Sequence, residues 1–195
     1  MRKLAILFGG AALLASCQST PPPPPPVPVD LNNTLMAPGF LAHAGSANQF
    51  EIQSAQLALQ SGVNPSTQNL ANMLIADHTS MGQQVAAAAT TAGLTPPPPT
   101  LLPAEQATLD QLRAAGTGAG FNLAFLQAQI TAHQQAIQMM QNYAANGDVP
   151  ALRTVATGAI PIMQKHLQMA QSLAEAPPPP PPPPAPTTRR SGERG

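Results

Sequence analysis

Apolar residues recur at intervals of three and four along several stretches of the chain, and prolines or glycines separate these stretches. This spacing is the period of an amphipathic α-helix, which turns one side toward a core. A first helix is predicted over 38–61, and Gly62 ends it. A second is predicted over 65–92, because Asn64 and Pro65 provide an N-cap and a proline at the first helical position.

The second half of the chain holds two further long helices after a longer connection. A short helix is predicted over 104–115, inside this connection, and the glycine-rich run 116–120 follows it. The third long helix is predicted over 121–145, and the fourth runs to about residue 174 with Asp148 as its N-cap. No stretch alternates valine, isoleucine and aromatic residues as a strand would, so the predicted class is all-α.

The order of these elements predicts a four-helix bundle over 38–176, with a short extra helix in the central connection. Two helix pairs joined by a long connection also suit a ferritin-like bundle, in which one crossover links the pairs. The sequence leaves open whether the second and third long helices run parallel or antiparallel.

The first seventeen residues have the layout of a secretory signal peptide. Two basic residues precede an apolar run, 4–14, that is too short for a comfortable membrane span. The ending Leu-Ala-Ser-Cys at 14–17 resembles the lipobox of bacterial lipoproteins, which implies that Cys17 becomes the lipidated first residue and anchors the protein in a membrane. Gln18 favours the outer membrane, facing the periplasm. An ordinary cleaved signal peptide with an incidental cysteine is the alternative.

Proline-rich segments flank the predicted bundle on both sides. Residues 18–37 form a linker whose proline run predicts a stiff polyproline II spacer. Residues 177–195 form a proline-rich tail that is predicted to be disordered. A solvated chain end is the favoured interpretation, and contacts of Arg189 and Arg190 with acidic lipid or with the cell wall are the alternative. No protein partner is identified by either segment.

Composition narrows the classes of partner. Charged residues make up 8% of the chain and the formal net charge is zero, so nothing points to nucleic acid. Tryptophan is absent and aromatic residues make up 3%, which also argues against stacking on bases. The single cysteine excludes a disulfide within the chain.

Ionisable side chains are rare in the predicted helices, and four of them share one setting: Glu51, His78, His133 and His166. The residues three and four positions from each histidine are mostly apolar, so the imidazoles are predicted to face the interior. Each of the four lies roughly 12 to 18 residues from the nearest predicted turn. Because an α-helix rises about 1.5 Å per residue, the four residues lie at similar heights along the bundle. The four side chains are therefore predicted to meet near the middle of the bundle.

A buried carboxylate destabilises a fold unless a positive charge compensates it, and the first two predicted helices contain no lysine or arginine. Three imidazoles and the carboxylate of Glu51 form a reasonable ligand set for one zinc, copper or iron ion. Asp77 is predicted to orient a ring nitrogen of a metal-bound histidine. A metal-free cluster, with Glu51 paired to one protonated histidine, is the alternative. The Glu-x-x-His motif of dinuclear sites is absent, which disfavours di-iron chemistry.

An ordered set of residues carries a family resemblance, and it comprises Glu51 followed by Leu57-Ala58, the stretch 73–78 ending in Asp77-His78, His133, and Ile160-Pro161 followed by His166. The set resembles ferritin-like bacterial lipoproteins that carry a domain of unknown function (4142) and are often labelled predicted outer membrane proteins. The resemblance spans about 40–173 and implies a helical fold and an envelope location. The family's usual Phe-Asp-x-x-Tyr reads Phe-Asn-Leu-Ala-Phe at 121–125, so the acid and the phenol are missing here.

Three functions follow from these patterns. The first is a lipid-anchored periplasmic bundle that binds one metal ion and buffers metal or answers envelope stress. The second is a metal-free structural or interaction lipoprotein of the envelope. The third, an enzyme with one redox metal, is the least favoured, since the sequence identifies no nucleophile, substrate pocket or lid.

Overall fold

The computed structural model describes residues 30–176. The predicted leader with Cys17, the linker as far as residue 29 and the tail 177–195 lie outside the described residues. Within 30–176 all regular structure is helical, which confirms the predicted all-α class. The five helices are α1 (Ala37–Gln60), α2 (Pro65–Thr91), α3 (Pro103–Ala114), α4 (Gly118–Asn146) and α5 (Pro150–Glu175). None of them combines the length and the hydropathy that a membrane crossing requires.

The helix ends show which local signals act. Asn64 is the N-cap of α2, and its side chain accepts a hydrogen bond from the backbone N–H of Thr67 at 2.9 Å. The predicted cap of the last helix is wrong, because Pro150 sets the first turn of α5 and Val149 takes the cap position without a side-chain hydrogen bond. The carboxylate of Asp148 instead accepts a hydrogen bond from the hydroxyl of Tyr143 at 2.9 Å.

Hydrogen bonds from the connection settle the direction that the sequence left open. The backbone N–H of Gly118 donates to the carbonyl of Ser61 at 2.8 Å, so α4 begins beside the α1–α2 turn. Before that, the N–H of Leu102 donates to the hydroxyl of Ser46, which holds the returning connection against α1. The connection thus travels back along the bundle, and α2 and α4 run parallel. Each long helix is antiparallel to the two neighbours it packs against, with α1 mainly on α2 and α4 mainly on α5.

The interior consists of two apolar clusters with polar residues between them. The cluster at the start of α1 includes the stacked rings of Phe40 and Tyr143, with centroids 3.8 Å apart. The cluster at the other end includes Phe121 and Phe125 of α4. The buried residues between the clusters form what we call the polar layer, and they are Asn48, Glu51, Ser54, His78, Gln129, His133 and His166. Every long helix contributes to this layer.

Candidate metal centre

Three helices each place one histidine in the polar layer: His78 from α2, His133 from α4 and His166 from α5. Their exposed fractions are 2%, 1% and 0%, respectively. One ring nitrogen from each histidine lies within 4.8 Å of the other two, and the ring centroids are 5.3 to 5.6 Å apart. The helices therefore bring three imidazoles to one interior point, which is the spacing that a single metal ion needs.

Each ring has one nitrogen that points away from this point and meets an oxygen atom. These pairs are His78 Nδ1 with Asn48 Oδ1 at 2.8 Å, His133 Nδ1 with the backbone carbonyl of Gln129 at 2.9 Å, and His166 Nε2 with Asp77 Oδ2 at 2.9 Å. A carbonyl or a carboxylate oxygen only accepts hydrogen bonds, so each outer nitrogen carries the ring proton and donates it. The three outer contacts fix both the tautomer and the orientation of the rings.

The inner nitrogens consequently carry lone pairs, because a neutral imidazole has only one N–H. His133 Nε2 and His166 Nδ1 lie 3.3 Å apart, and neither has a proton to give the other when both outer nitrogens are protonated. His78 Nε2 is buried, and no residue in the described part of the chain is its hydrogen-bond partner. Three acceptors that converge without a donor repel one another, and a shared cation would turn that repulsion into coordination.

Burial also keeps the rings neutral. It lowers the pKa of His133 to about 4, and it lowers the pKa of His78 well below its usual value. Burial lowers the pKa of His166 as well, and the hydrogen bond that its ring donates to Asp77 acts in the opposite direction. A neutral imidazole is the form that binds metal, so at neutral pH the three rings are ready to act as ligands.

Glu51 is buried but lies outside this group of three, so the structure brings together three of the four predicted ligands. Its Oε1 is 3.6 Å from Nδ1 of His133, the outer nitrogen, so the carboxyl group sits behind that ring. The reason is the rotation of α1 about its axis. That rotation directs Asn48 to His78 and turns Glu51 toward the neighbourhood of Gln129.

The carboxyl group of Glu51 is poorly compensated. Burial raises its pKa well above the usual value, and the nearby side-chain amide of Gln129 opposes the rise only in part. One carboxyl oxygen, Oε2, has no hydrogen-bond partner among residues 30–176. The environment therefore favours the neutral, protonated acid.

Replacing Glu51 with glutamine is expected to make the metal-free protein more stable above pH 7. A carboxyl group whose folded-state pKa is raised stabilises the fold fully below its unfolded pKa, and that contribution is lost as pH rises through the folded value. Glutamine does not titrate, so urea unfolding between pH 6.5 and 9 should show a smaller loss of stability than in the original protein. Glu175→Gln, at an exposed position, is the matched control and should leave the pH dependence unchanged. Parallel curves for the Glu51 variant and the original protein would contradict this account.

Asp77 lies at the edge of the site, where its side chain is 39% exposed while it contacts the buried ring of His166. Two groups that hold the other rings were not predicted from the sequence, the side chain of Asn48 and the backbone carbonyl of Gln129. A signal for Asn48 was present, because it lies three residues before Glu51 on the same helix face. A backbone carbonyl is the same at every residue, so the sequence carries no signal for the contact with Gln129.

Comparison with known proteins adds a family and a fold. The chain matches the family described as "Domain of unknown function (DUF4142)" over residues 23–173. No curated protein sequence matches it. Among solved structures, that of "CopM in the Cu(II)-bound form" is similar, with a TM-score of 0.59 and 19% sequence identity. The alignment covers 71% of this chain and 95% of that one, and it supports a shared helical fold.

Proposed function

The chain belongs to the DUF4142 family, and from the geometry of its polar layer we propose that it binds one transition-metal ion through His78, His133 and His166. The observation that carries the proposal is the meeting of three inner lone pairs without a donor among them. His78 and His133 would bind through Nε2, and His166 through Nδ1. The bound ion would supply positive charge where three acceptors now face one another.

The donor set favours copper and zinc over harder ions. Neutral imidazole suits copper, zinc, iron and nickel, whereas magnesium and calcium prefer sites rich in oxygen ligands. Divalent copper binds nitrogen sites most tightly among the first-row ions. The similar structure is that of CopM in its Cu(II)-bound form, which makes Cu(II) the first ion to test and zinc the second. Three protein ligands leave a further coordination position for water or another small ligand.

The outer hydrogen bonds have a defined part in this proposal. Asp77, Asn48 and the carbonyl of Gln129 hold the ring protons on the outer nitrogens, so that the inner ones stay free for the ion. The charge of Asp77 also offsets part of the charge of a divalent cation. Glu51 contacts the back of one ring and is not counted among the ligands.

The proposed location is the bacterial envelope, with a lipid anchor on Cys17 in the outer membrane and the bundle facing the periplasm. The lipobox-like ending of the leader supports it. The proposed fold type is ferritin-like, and the parallel α2 and α4 joined by one long connection support that assignment. In this setting we expect metal buffering or protection against envelope stress rather than catalysis. A metal-free structural lipoprotein is the competing function.

Elemental analysis tests the proposal. The purified protein, loaded with Cu(II) and passed over a desalting column, is expected to retain about one ion per chain, and the His78→Ala/His133→Ala double variant is expected to retain almost none. His43→Ala is the matched control, since His43 lies outside the polar layer. Equal and near-zero metal in the original protein and the double variant, with zinc as well as copper, would favour the metal-free function.

A further inference from the structure

A cavity of about 710 Å³ lies in the seam between α1 and α4, beneath α3. His43 and Phe50 of α1, Glu105 and Leu112 of α3, and Gln135 and Met139 of α4 are among its lining residues. None of the three histidines of the polar layer lines it, so this cavity is separate from the proposed metal centre. Its volume falls within the range of small-molecule sites.

Glu105 gives the cavity its chemical character. Among the described residues that line the cavity it is the only acidic one, and none of them is lysine or arginine. Its side chain is half-buried, and one carboxylate oxygen, Oε2, has almost no exposed surface and no hydrogen-bond donor among the described residues. Water therefore solvates the carboxylate only in part, and a ligand in the cavity that supplies a cationic N–H to its accessible oxygen would stabilise the charge. The remaining lining combines apolar side chains with amides, so a complementary ligand has both a donor and an apolar body.

We propose that this cavity binds an amphipathic organic cation, namely an amine, an amidine or a guanidine attached to an apolar body. The cationic N–H groups would donate to the carboxylate of Glu105. The apolar body would pack against Phe50, Leu112 and Met139, and Gln135 offers a further hydrogen bond. An anion would meet the carboxylate with like charge and find no lysine or arginine in the lining.

A cation of this class has two sources. One is a free small molecule. The other is the chain itself, because Arg189, Arg190 and Arg194 carry guanidinium groups and lie outside the described residues. Residues 30–176 contain seven acidic and three basic side chains, so the described part of the protein attracts cations from either source.

Benzamidine and benzamide provide a matched pair of probes, because they have nearly the same shape and only benzamidine carries a positive charge. Titration of the protein, followed by backbone amide NMR shifts, is expected to move signals of the cavity lining with benzamidine at about tenfold higher affinity than with benzamide. Glu105→Gln should lower the benzamidine affinity to that of benzamide. Asp110→Asn is the matched control, since Asp110 is an exposed acid on the same helix that pairs with Arg113, and it should change nothing.

Equal affinities for the two probes, an unchanged affinity in Glu105→Gln, or shifts that map away from the cavity would each overturn the proposal. An Arg189→Ala/Arg190→Ala/Arg194→Ala variant separates the sources: tighter benzamidine binding would identify the tail as the occupant, and an unchanged affinity would exclude the tail and leave a free ligand as the source. Cu(II) binding should be the same in Glu105→Gln as in the original protein. The cavity and the metal centre can therefore fail independently.

Discussion

Alanine in place of His133 is expected to weaken Cu(II) binding by more than a hundredfold. The ring of His133 presents Nε2 to the shared interior point, and its neighbour Nδ1 of His166 lies 3.3 Å away. Loss of a group that merely orients a metal ligand reduces affinity about 10- to 100-fold, so loss of a ligand should exceed that range. Competition against a chelator of known affinity, followed by the absorbance of the chelator complex, measures the change.

Two further variants, measured in the same way, give an intermediate loss of Cu(II) affinity and a control. Asp77→Asn keeps a hydrogen-bonding group near His166 but removes the negative charge, and a loss of about 10- to 100-fold is expected. His43→Ala removes a histidine outside the polar layer and should leave the affinity unchanged. An affinity for His133→Ala equal to that of the original protein would show that the ion, if bound, sits elsewhere.

The second large effect is expected from acid. Unfolding of the metal-free protein should require about 3 kcal/mol less free energy at pH 4 than at pH 6.5 from His133 alone, at 1.36 kcal/mol for each unit of pKa difference. Burial lowers the pKa of this ring to about 4 in the folded protein. The unfolded chain then binds more protons than the folded one. The stabilisation is present above the unfolded value and is lost as pH falls through the folded value. His78 and His166 act in the same direction.

Urea titrations at several pH values between 4 and 7 measure this dependence. His133→Gln places a neutral amide at the site and should reduce the slope of stability against pH, whereas His43→Gln should retain it. Glu51 acts in the opposite direction, because burial raises its pKa, so a Glu51→Gln background isolates the contribution of the histidines. Equal slopes with and without the imidazole of His133 would rule out its part in the acid sensitivity.

The helices and the level of the histidines were predictable because both follow from local rules. Proline and asparagine at 64–65 mark the start of α2 in any context, and a constant rise per residue places side chains at a known height. The same rules could not decide which α1 residue, Asn48 or Glu51, lies beside the ring of His78 and which lies beside that of His133. The two lie one turn apart on a face of small residues, and only packing against α2 and α4 sets the rotation of α1.

The direction of α4 was beyond the sequence for a related reason. The bond from Gly118 to Ser61 joins residues 57 positions apart, and no periodicity encodes such a contact. The prediction of the N-cap of α5 was wrong for a local reason. Pro150 starts the helix two residues after Asp148, so the carboxylate is out of register for capping and binds Tyr143 instead.

The polar layer between the two apolar clusters also fixes the axial register of the helices in the bundle. A uniform apolar core would allow one helix to slip along its axis by a turn, about 5.4 Å, with little change in contacts. Here such a slip would push an imidazole among leucine and phenylalanine side chains and strip it of its oxygen partner. We therefore expect the four long helices to adopt a single axial register in the metal-free protein as well.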